Sequence, residues 1–369
     1  MSKRVAVLGA VAALGVAQGL KVGFLGDSDH VEGAERNYQI CRQEGCDVLF
    51  HTGDYDYDSS PSTWEDFQEQ NVGDMLFLGT SGNHEDDVLS TILSGGKKWE
   101  ADWFNVNKGY KRRFYNRLVE HNRANDLKAI CNGRQGKSLQ NEYGNYMSCR
   151  VGDIQFVTIG WAQFSDSLLG AGGDRDEARA FIEKSFSETD AKWKVFVVHR
   201  PEGKYNPGES HTDEYETEGD MNLAAKYGAI TIHGHSHVYG RTKLINNFYT
   251  ASVSPNEDPD TVRLGCGETI SVVNGMGGKE TQGDGEYASR SYFNSKYTTS
   301  TGSATNGILI CDFEEAQASC EFKVNTGAVH DAFSLVPPPA SSTCRDTEVQ
   351  LVAPETASDD TNISNSTTV

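Results

Sequence analysis

His235 and His237 stand two residues apart, just past the apolar run 229–232 and Gly234. In extended chain, side chains two apart project to the same side, so this pair could form half of a metal site. The other half has the same setting. Asp27, Asp54, Asn83 and His199 each follow an apolar stretch, and glycine immediately precedes Asp27, Asp54 and Asn83. Crowded ligands need backbone that can turn sharply or approach closely, which glycine permits. Carboxylate, amide and imidazole donors together suit zinc, manganese or iron better than calcium. Six such ligands are too many for one tetrahedral centre with an open position. They suit two metals that share a bridging carboxylate.

The elements that must position these residues are short strands. Strands are predicted over 21–25, 48–51, 75–78, 154–159 and 194–198, and 154–159 is apolar on both faces, as expected for a buried sheet. A helix is predicted over 33–44, with Ala34, Tyr38 and Cys41 on one face and Gly45 as its stop. Another is predicted after Asp174-Arg175-Asp176-Glu177, which has capping-box character. In open α/β sheets, ligands bind beyond the carboxyl ends of the strands. Residues scattered from 27 to 237 can therefore converge on one edge. Residues 86–150 are less patterned and read as a partly helical insertion. Strands near 307–313 and 320–324 read as a terminal hairpin.

Length and charge set bounds. The chain has 369 residues and a formal net charge of -20. That balance opposes nucleic acid or an anionic membrane as partner. It also repels phosphorylated substrates at long range, so such a substrate needs a strong local cation, which a metal pair supplies. The N-terminus is basic, then apolar over 5–16, then small at Ala17 and Gly19. This pattern predicts a signal peptide over residues 1–19. The apolar run is too short to span a membrane, which takes about 20 residues. The expected location is extracellular, or the lumen of the secretory or vacuolar-lysosomal pathway. Eight cysteines with no C-x-x-C pair fit disulfides in an exported chain. Cys311 and Cys320 flank the predicted hairpin turn, and proximity suggests Cys41 with Cys46 and Cys131 with Cys149. Residues 336–369 are rich in Pro, Ser, Thr and Asp and read as a disordered tail. Sequons at Asn362 and Asn365 make it a candidate for glycosylation.

In order, the pieces read G-D…G-D…G-N-H-E…H…G-H-x-H, which resembles the calcineurin-like metallophosphoesterase superfamily. Further details resemble its purple acid phosphatase branch of the tartrate-resistant type. Tyr57 completes a G-D-x-x-Y at Asp54, and 234–242 reads G-H-x-H-x-Y-x-R-T; 272–278 and 331–335 add to the likeness. The resemblance implies an α/β fold: a β-sandwich of mixed sheets flanked by helices, with a dinuclear site at the strand carboxyl ends. It implies one catalytic domain over about 20–335. It also implies a ferric ion on Asp27, Tyr57 and His237. A divalent ion, Fe2+, Zn2+ or Mn2+, would sit on Asn83, His199 and His235, with Asp54 bridging. The implied reaction is hydrolysis of a small phosphate monoester by a metal-bound hydroxide, at acidic pH, with His84 assisting the leaving group. His211 corresponds to a substrate histidine, although it lies further upstream of Glu218-Gly219 than the branch places it. In the first motif, Asp29 stands where the branch has glycine, and Arg200 beside His199 is a further phosphate contact to consider.

Two other readings compete. The substrate could be a phosphodiester, a pyrophosphate or a nucleotide, because a dinuclear core alone does not choose. A secreted binding protein without catalysis could use the same fold, but such a chain should have lost a ligand or the Asn83-His84 pair, and none is lost here.

Overall fold

The computed structural model describes residues 19–57, 61–86, 110–160, 175–201, 203–208, 217–301 and 305–338. Two sheets carry the fold. One has seven strands in the order β12-β17-β16-β15-β1-β2-β3, the other eight in the order β14-β9-β13-β8-β7-β6-β5-β4. The first sheet is built on β1 (Leu20–Leu25), β2 (Val48–His51) and β3 (Leu76–Gly79), which run parallel. It continues through β15 (Gly307–Phe313), β16 (Ala318–Val324) and β17 (Val329–Val336), with β12 (Thr261–Arg263) at the edge. The second has β6 (Ile154–Ile159), β7 (Trp193–Val198), β8 (Ile230–His233) and β13 (Ser271–Asn274) parallel to one another. β9 (Tyr239–Thr242) and β14 (Phe293–Tyr297) pair antiparallel at one end. β4 (Ala129–Asn132) and β5 (Tyr146–Val151) close the other. The separate ribbon β10 (Ile245–Asn247) and β11 (Ser252–Val253) lies outside both sheets.

Strand periodicity divides the buried side chains between two layers. Val195 and Val197 of β7 join the core between the sheets, whereas Phe196 and Val198 face the helix layer. Between the sheets, Phe156 of the second lies 5.4 Å from Phe50 and 6.4 Å from Phe24 of the first, ring centre to ring centre. On the outer face, α6 (Arg175–Ser187) contributes Ala178, Ile182 and Phe186, and α7 (Glu218–Lys226) contributes Leu223 and Ala224. The remaining helices are α1 (Glu32–Gln43), α2 (Pro61–Val72), α3 (Asn83–Asp86), α4 (Tyr110–Ala124) and α5 (Leu139–Glu142). The predicted sandwich of mixed sheets is therefore present. The segment read as an insertion does not stay apart: its second half supplies β4 and β5 to the second sheet. Residues 87–109 of it lie outside the described residues, as do residues 1–18 and 339–369 of the predicted leader and tail. All three expected cysteine pairs form: Cys41–Cys46, Cys131–Cys149 and Cys311–Cys320. The last joins directly opposed positions on β15 and β16.

A buried polar cluster ties the sheets together. Arg241 of β9 donates from Nε and Nη2 to the two carboxylate oxygens of Asp331 on β17, at 2.7 and 3.0 Å. The Tyr239 hydroxyl donates to the same carboxylate at 2.7 Å, and its ring stacks on Phe322 with centres 4.0 Å apart. The tyrosine and arginine of the histidine motif are thus structural. Burial alone would raise the Asp331 pKa, but hydrogen bonds and charge from Arg241, with Tyr239, outweigh it and hold it below its ordinary value. A carboxylate depressed in the folded state stabilises above the unfolded pKa, and that contribution is lost as pH falls through the folded value. Asp331→Ala leaves a buried guanidinium unpaired and should cost about 3–5 kcal/mol at neutral pH. Denaturant unfolding of the variant checks this, and the deficit against the parent should shrink in acid below the carboxylate range.

Candidate metal centre

The site forms where the parallel strands of both sheets end. Asp27 follows β1, Asp54 follows β2, Asn83 opens α3 behind β3, His199 follows β7, and His235 and His237 lie between β8 and β9. Short backbone bonds lace these loops together. The N–H groups of Asp27 and Ser28 donate to the carbonyls of Gly53 and Asp54, and Gly234 N–H donates to the His199 carbonyl at 2.7 Å. Asp27, Asp54 and His235 all take positive φ, at 58°, 55° and 67°. Non-glycine residues enter that region rarely and at a cost of about 1–3 kcal/mol each, and such strain clusters at functional sites. Two of the glycines have a steric reason. A Cβ on Gly82 would lie 2.1 Å from Asp54 Oδ1, and one on Gly53 would lie 2.7 Å from Gly82 N and from His199 Nδ1.

The candidate donor atoms fall into two sets. In the first, the Tyr57 hydroxyl is 3.2 Å from Asp27 Oδ1 and 3.1 Å from His237 Nε2, and those two atoms are 3.6 Å apart. In the second, His199 Nε2 lies 3.3 Å from Asp54 Oδ2 and 3.1 Å from Asn83 Oδ1, which is 2.9 Å from His235 Nδ1. Asp54, His199 and His235 can each offer a ligand atom within 4.8 Å of one another. Donors about 2.1 Å from a common ion stand roughly 3.0–3.4 Å apart in octahedral or tetrahedral arrangement. The separations in the two sets, 2.9–3.6 Å, lie close to that spacing, so the residues fit two metals. Asp54 is common to them electrostatically: its charge acts on His199 in one set and on Tyr57 and His237 in the other.

Without a metal, the candidate donors differ in protonation. Burial and the positive charge of His199 lower the His235 pKa well below its ordinary value, so its imidazole is neutral and available to a metal. Burial also lowers His199, but Asp54, Asp27 and Glu85 overcome this and raise it to about 9. Burial, then the negative charge of Asp27, pushes the Tyr57 hydroxyl well above its ordinary value. Neighbouring carbonyls orient two of the imidazoles: Thr52 O lies 2.8 Å from His199 Nδ1, and Glu280 O lies 3.0 Å from His237 Nδ1. Such partners set which ring nitrogen is left for a metal.

His84 differs from the rest. Its backbone N–H donates to Asp54 Oδ1 at 2.9 Å, while its side chain is 39 % exposed with Nε2 3.9 Å from Asp54 Oδ2. It is anchored by its main chain and presents its ring outward, against Tyr57 with centres 4.2 Å apart. Glu85 was overlooked as a contributor. Its carboxylate accepts the N–H groups of Asp54, Tyr55 and Gly82 at 2.8–2.9 Å, clamping the two loops that carry Asp54 and Asn83. The signal was its place three residues after Gly82, where a carboxylate can reach back to backbone at a helix start. Arg200, considered above as a phosphate contact, is buried beside His199 at 6 % exposure. His211 lies outside the described residues.

A family model of calcineurin-like phosphoesterases matches residues 20–239. The chain belongs to that family. The family fold implies a dinuclear metal site, in agreement with the two donor sets. Among solved structures, a purple acid phosphatase from yellow lupin (Lupinus luteus) seeds is similar at 18% identity and TM-score 0.56, over 86% of this chain and 54% of that one. A protein described as the anchor in the inner membrane complex of Plasmodium is similar at 13% identity and TM-score 0.53, over 87% and 89%. PhoD is similar at 12% identity and TM-score 0.50, over 85% and 68%. The chain spans about half the length of the lupin enzyme, and identities this low speak to fold alone. No curated protein matches the sequence. Among the described residues, no helix is long and apolar enough to cross a membrane.

Proposed function

We propose that this calcineurin-like phosphoesterase is a secreted acid phosphatase of the purple type, which hydrolyses small phosphate monoesters with a dinuclear centre. The observation that carries the reading is the pair of donor sets on Asp54, one containing a tyrosine hydroxyl at ligand spacing from a carboxylate and an imidazole. Asp27, Tyr57 and His237 would hold a ferric ion, and Asn83, His199 and His235 a divalent iron, zinc or manganese. Such a metal pair supplies positive charge to the phosphoryl oxygens and lowers the pKa of water enough for work in mild acid.

The chain's own groups do the rest. Asp54 holds both halves in register. His84 is placed to give a proton to the leaving oxygen, because its ring is exposed at the rim while its backbone is fixed on Asp54. Glu85 keeps both loops in place. His211 remains a proposed substrate contact. The fold also serves a protein described as an anchor, but a binding protein has no need of two donor sets at ligand spacing, which favours the catalytic reading here.

The test is hydrolysis by protein secreted from its native host, comparing a simple aryl phosphate with its bis-aryl diester at mildly acidic pH. The monoester should be the strongly preferred substrate, and N-terminal sequencing of the same sample should begin near Leu20. Preference for the diester would move the assignment to a phosphodiesterase, and a retained Met1 would remove the argument for export.

A further inference from the structure

Two charged side chains border the tyrosine-bearing half without belonging to either donor set, Asp29 and Lys279. Asp29 occupies a position for which glycine is the simpler choice, since its φ is 56°. Its carboxylate is nevertheless engaged. One oxygen accepts the His30 N–H at 2.8 Å and lies 3.0 Å from His30 Nδ1, and the other lies 3.6 Å from Lys279 Nζ. The lysine is fixed at both ends. Its backbone N–H donates to the Asp27 carbonyl at 3.0 Å, and its own carbonyl accepts from Asn306 Nδ2 at 2.7 Å. Its ammonium lies 4.0 Å from the centre of the Tyr57 ring. In a chain of net charge -20, a cation placed on the face of the one aromatic donor is a specific arrangement.

We propose that Lys279, tethered by Asp29, is a positioning residue that tunes Tyr57 as a metal ligand. The proposal rests on the ferric reading. A cation over a tyrosine face is attracted to the ring electrons, and more strongly to the ring of a phenolate. It therefore stabilises the electrons that the phenolate shares with a metal. The ammonium lies against the ring itself, 4.0 Å from its centre, so the donor level should fall more than the acceptor level. A visible transition from phenolate to ferric ion then lies at higher energy than it would without Lys279. The same positive charge favours the reduced ion. Asp29 acts through the lysine: a long side chain that is 34 % exposed needs a tether to stay on the ring instead of in solvent.

The experiment uses iron-loaded protein, with the visible spectrum, the reduction potential and the metal content as readouts. Lys279→Met should keep its metal and its colour but move the band to longer wavelength and lower the potential. Lys279→Arg should restore most of both shifts. Asp29→Ala should move the band in the same direction by less, and should add nothing in the Lys279→Met background. An unmoved band in Lys279→Met overturns the proposal, as does an Asp29→Ala shift that persists undiminished in the double variant. Metal loss in Asp29→Ala also overturns it, because Asp29 would then be a ligand. A parent protein that is active but colourless refutes the ferric reading and this proposal together. A coloured parent with an unmoved Lys279→Met band refutes the tuning alone.

Discussion

Asp54→Ala and His235→Ala should each abolish hydrolysis, a loss on the order of 10⁶-fold or more, the lower end of enzymatic acceleration. The two fail for different reasons. Asp54 is the group both halves share: it is 3.3 Å from His199 Nε2, it receives the His84 N–H, and its charge reaches Tyr57 and His237. Its removal should release metal from both sets. The His235 side chain serves the second set, where its neutral imidazole meets Asn83 at 2.9 Å, while its main-chain N–H, which donates to Asp27 Oδ2 at 2.7 Å, survives the substitution, so the variant should empty that set and spare the first. His84→Ala is the contrast. The main-chain N–H that holds Asp54 survives that substitution, and only the exposed ring is lost. Turnover should fall by roughly 10² to 10⁴, the range for a missing general acid, with metal content nearly intact. Metal analysis beside the aryl phosphate assay separates the three patterns. Full metal loss in His84→Ala would make it a ligand, and a working Asp54→Ala would remove the bridge from the scheme.

The convergence of the candidate ligands was legible in the sequence because strand-end chemistry is local. Asp27, Asp54, Asn83, His199 and His235 each sit one to four residues beyond the end of a strand, and a parallel sheet brings such positions to one edge. What the sequence left dark depends on contacts across long separations. Lys279 reaches Tyr57 from more than two hundred residues away, and nothing in Gly278-Lys279-Glu280 foretells an aromatic partner. Tyr239 and Arg241 share a motif with two ligands, yet their partner is Asp331 in the last strand, so proximity to the site concealed a structural role. β4 was unreadable for a different reason. It is an edge strand with alternating burial, and Ile130 points outward at 67 % exposure, which breaks the expected apolar-in pattern.

Iron-loaded protein should be violet to purple, and Tyr57→Phe should be colourless while retaining part of its hydrolysis. The surroundings of Tyr57 make this a demanding test. Burial and the charge of Asp27 oppose ionisation of its hydroxyl, so the protein alone keeps it protonated throughout the working range. Free tyrosine already holds its proton to a pKa of about 10. Only a cation of high charge at the oxygen reverses that order, as bound ions do for their ligands. The oxygen could share such an ion with Asp27 Oδ1, 3.2 Å away, and His237 Nε2, 3.1 Å away. Phenylalanine keeps the ring, with His84 centred 4.2 Å away and Lys279 4.0 Å away, so the fold and the rim should survive. What disappears is the donor oxygen and, with it, the visible band. Asp27, His237 and Asp54 remain to hold the ion more weakly, which is why activity falls without vanishing. Absorption spectra and bound iron, measured on parent and variant together, decide the matter. A parent that is fully active with zinc or manganese, without iron and without colour, would remove the ferric ion and return Tyr57 to the role of a buried hydrogen-bond donor.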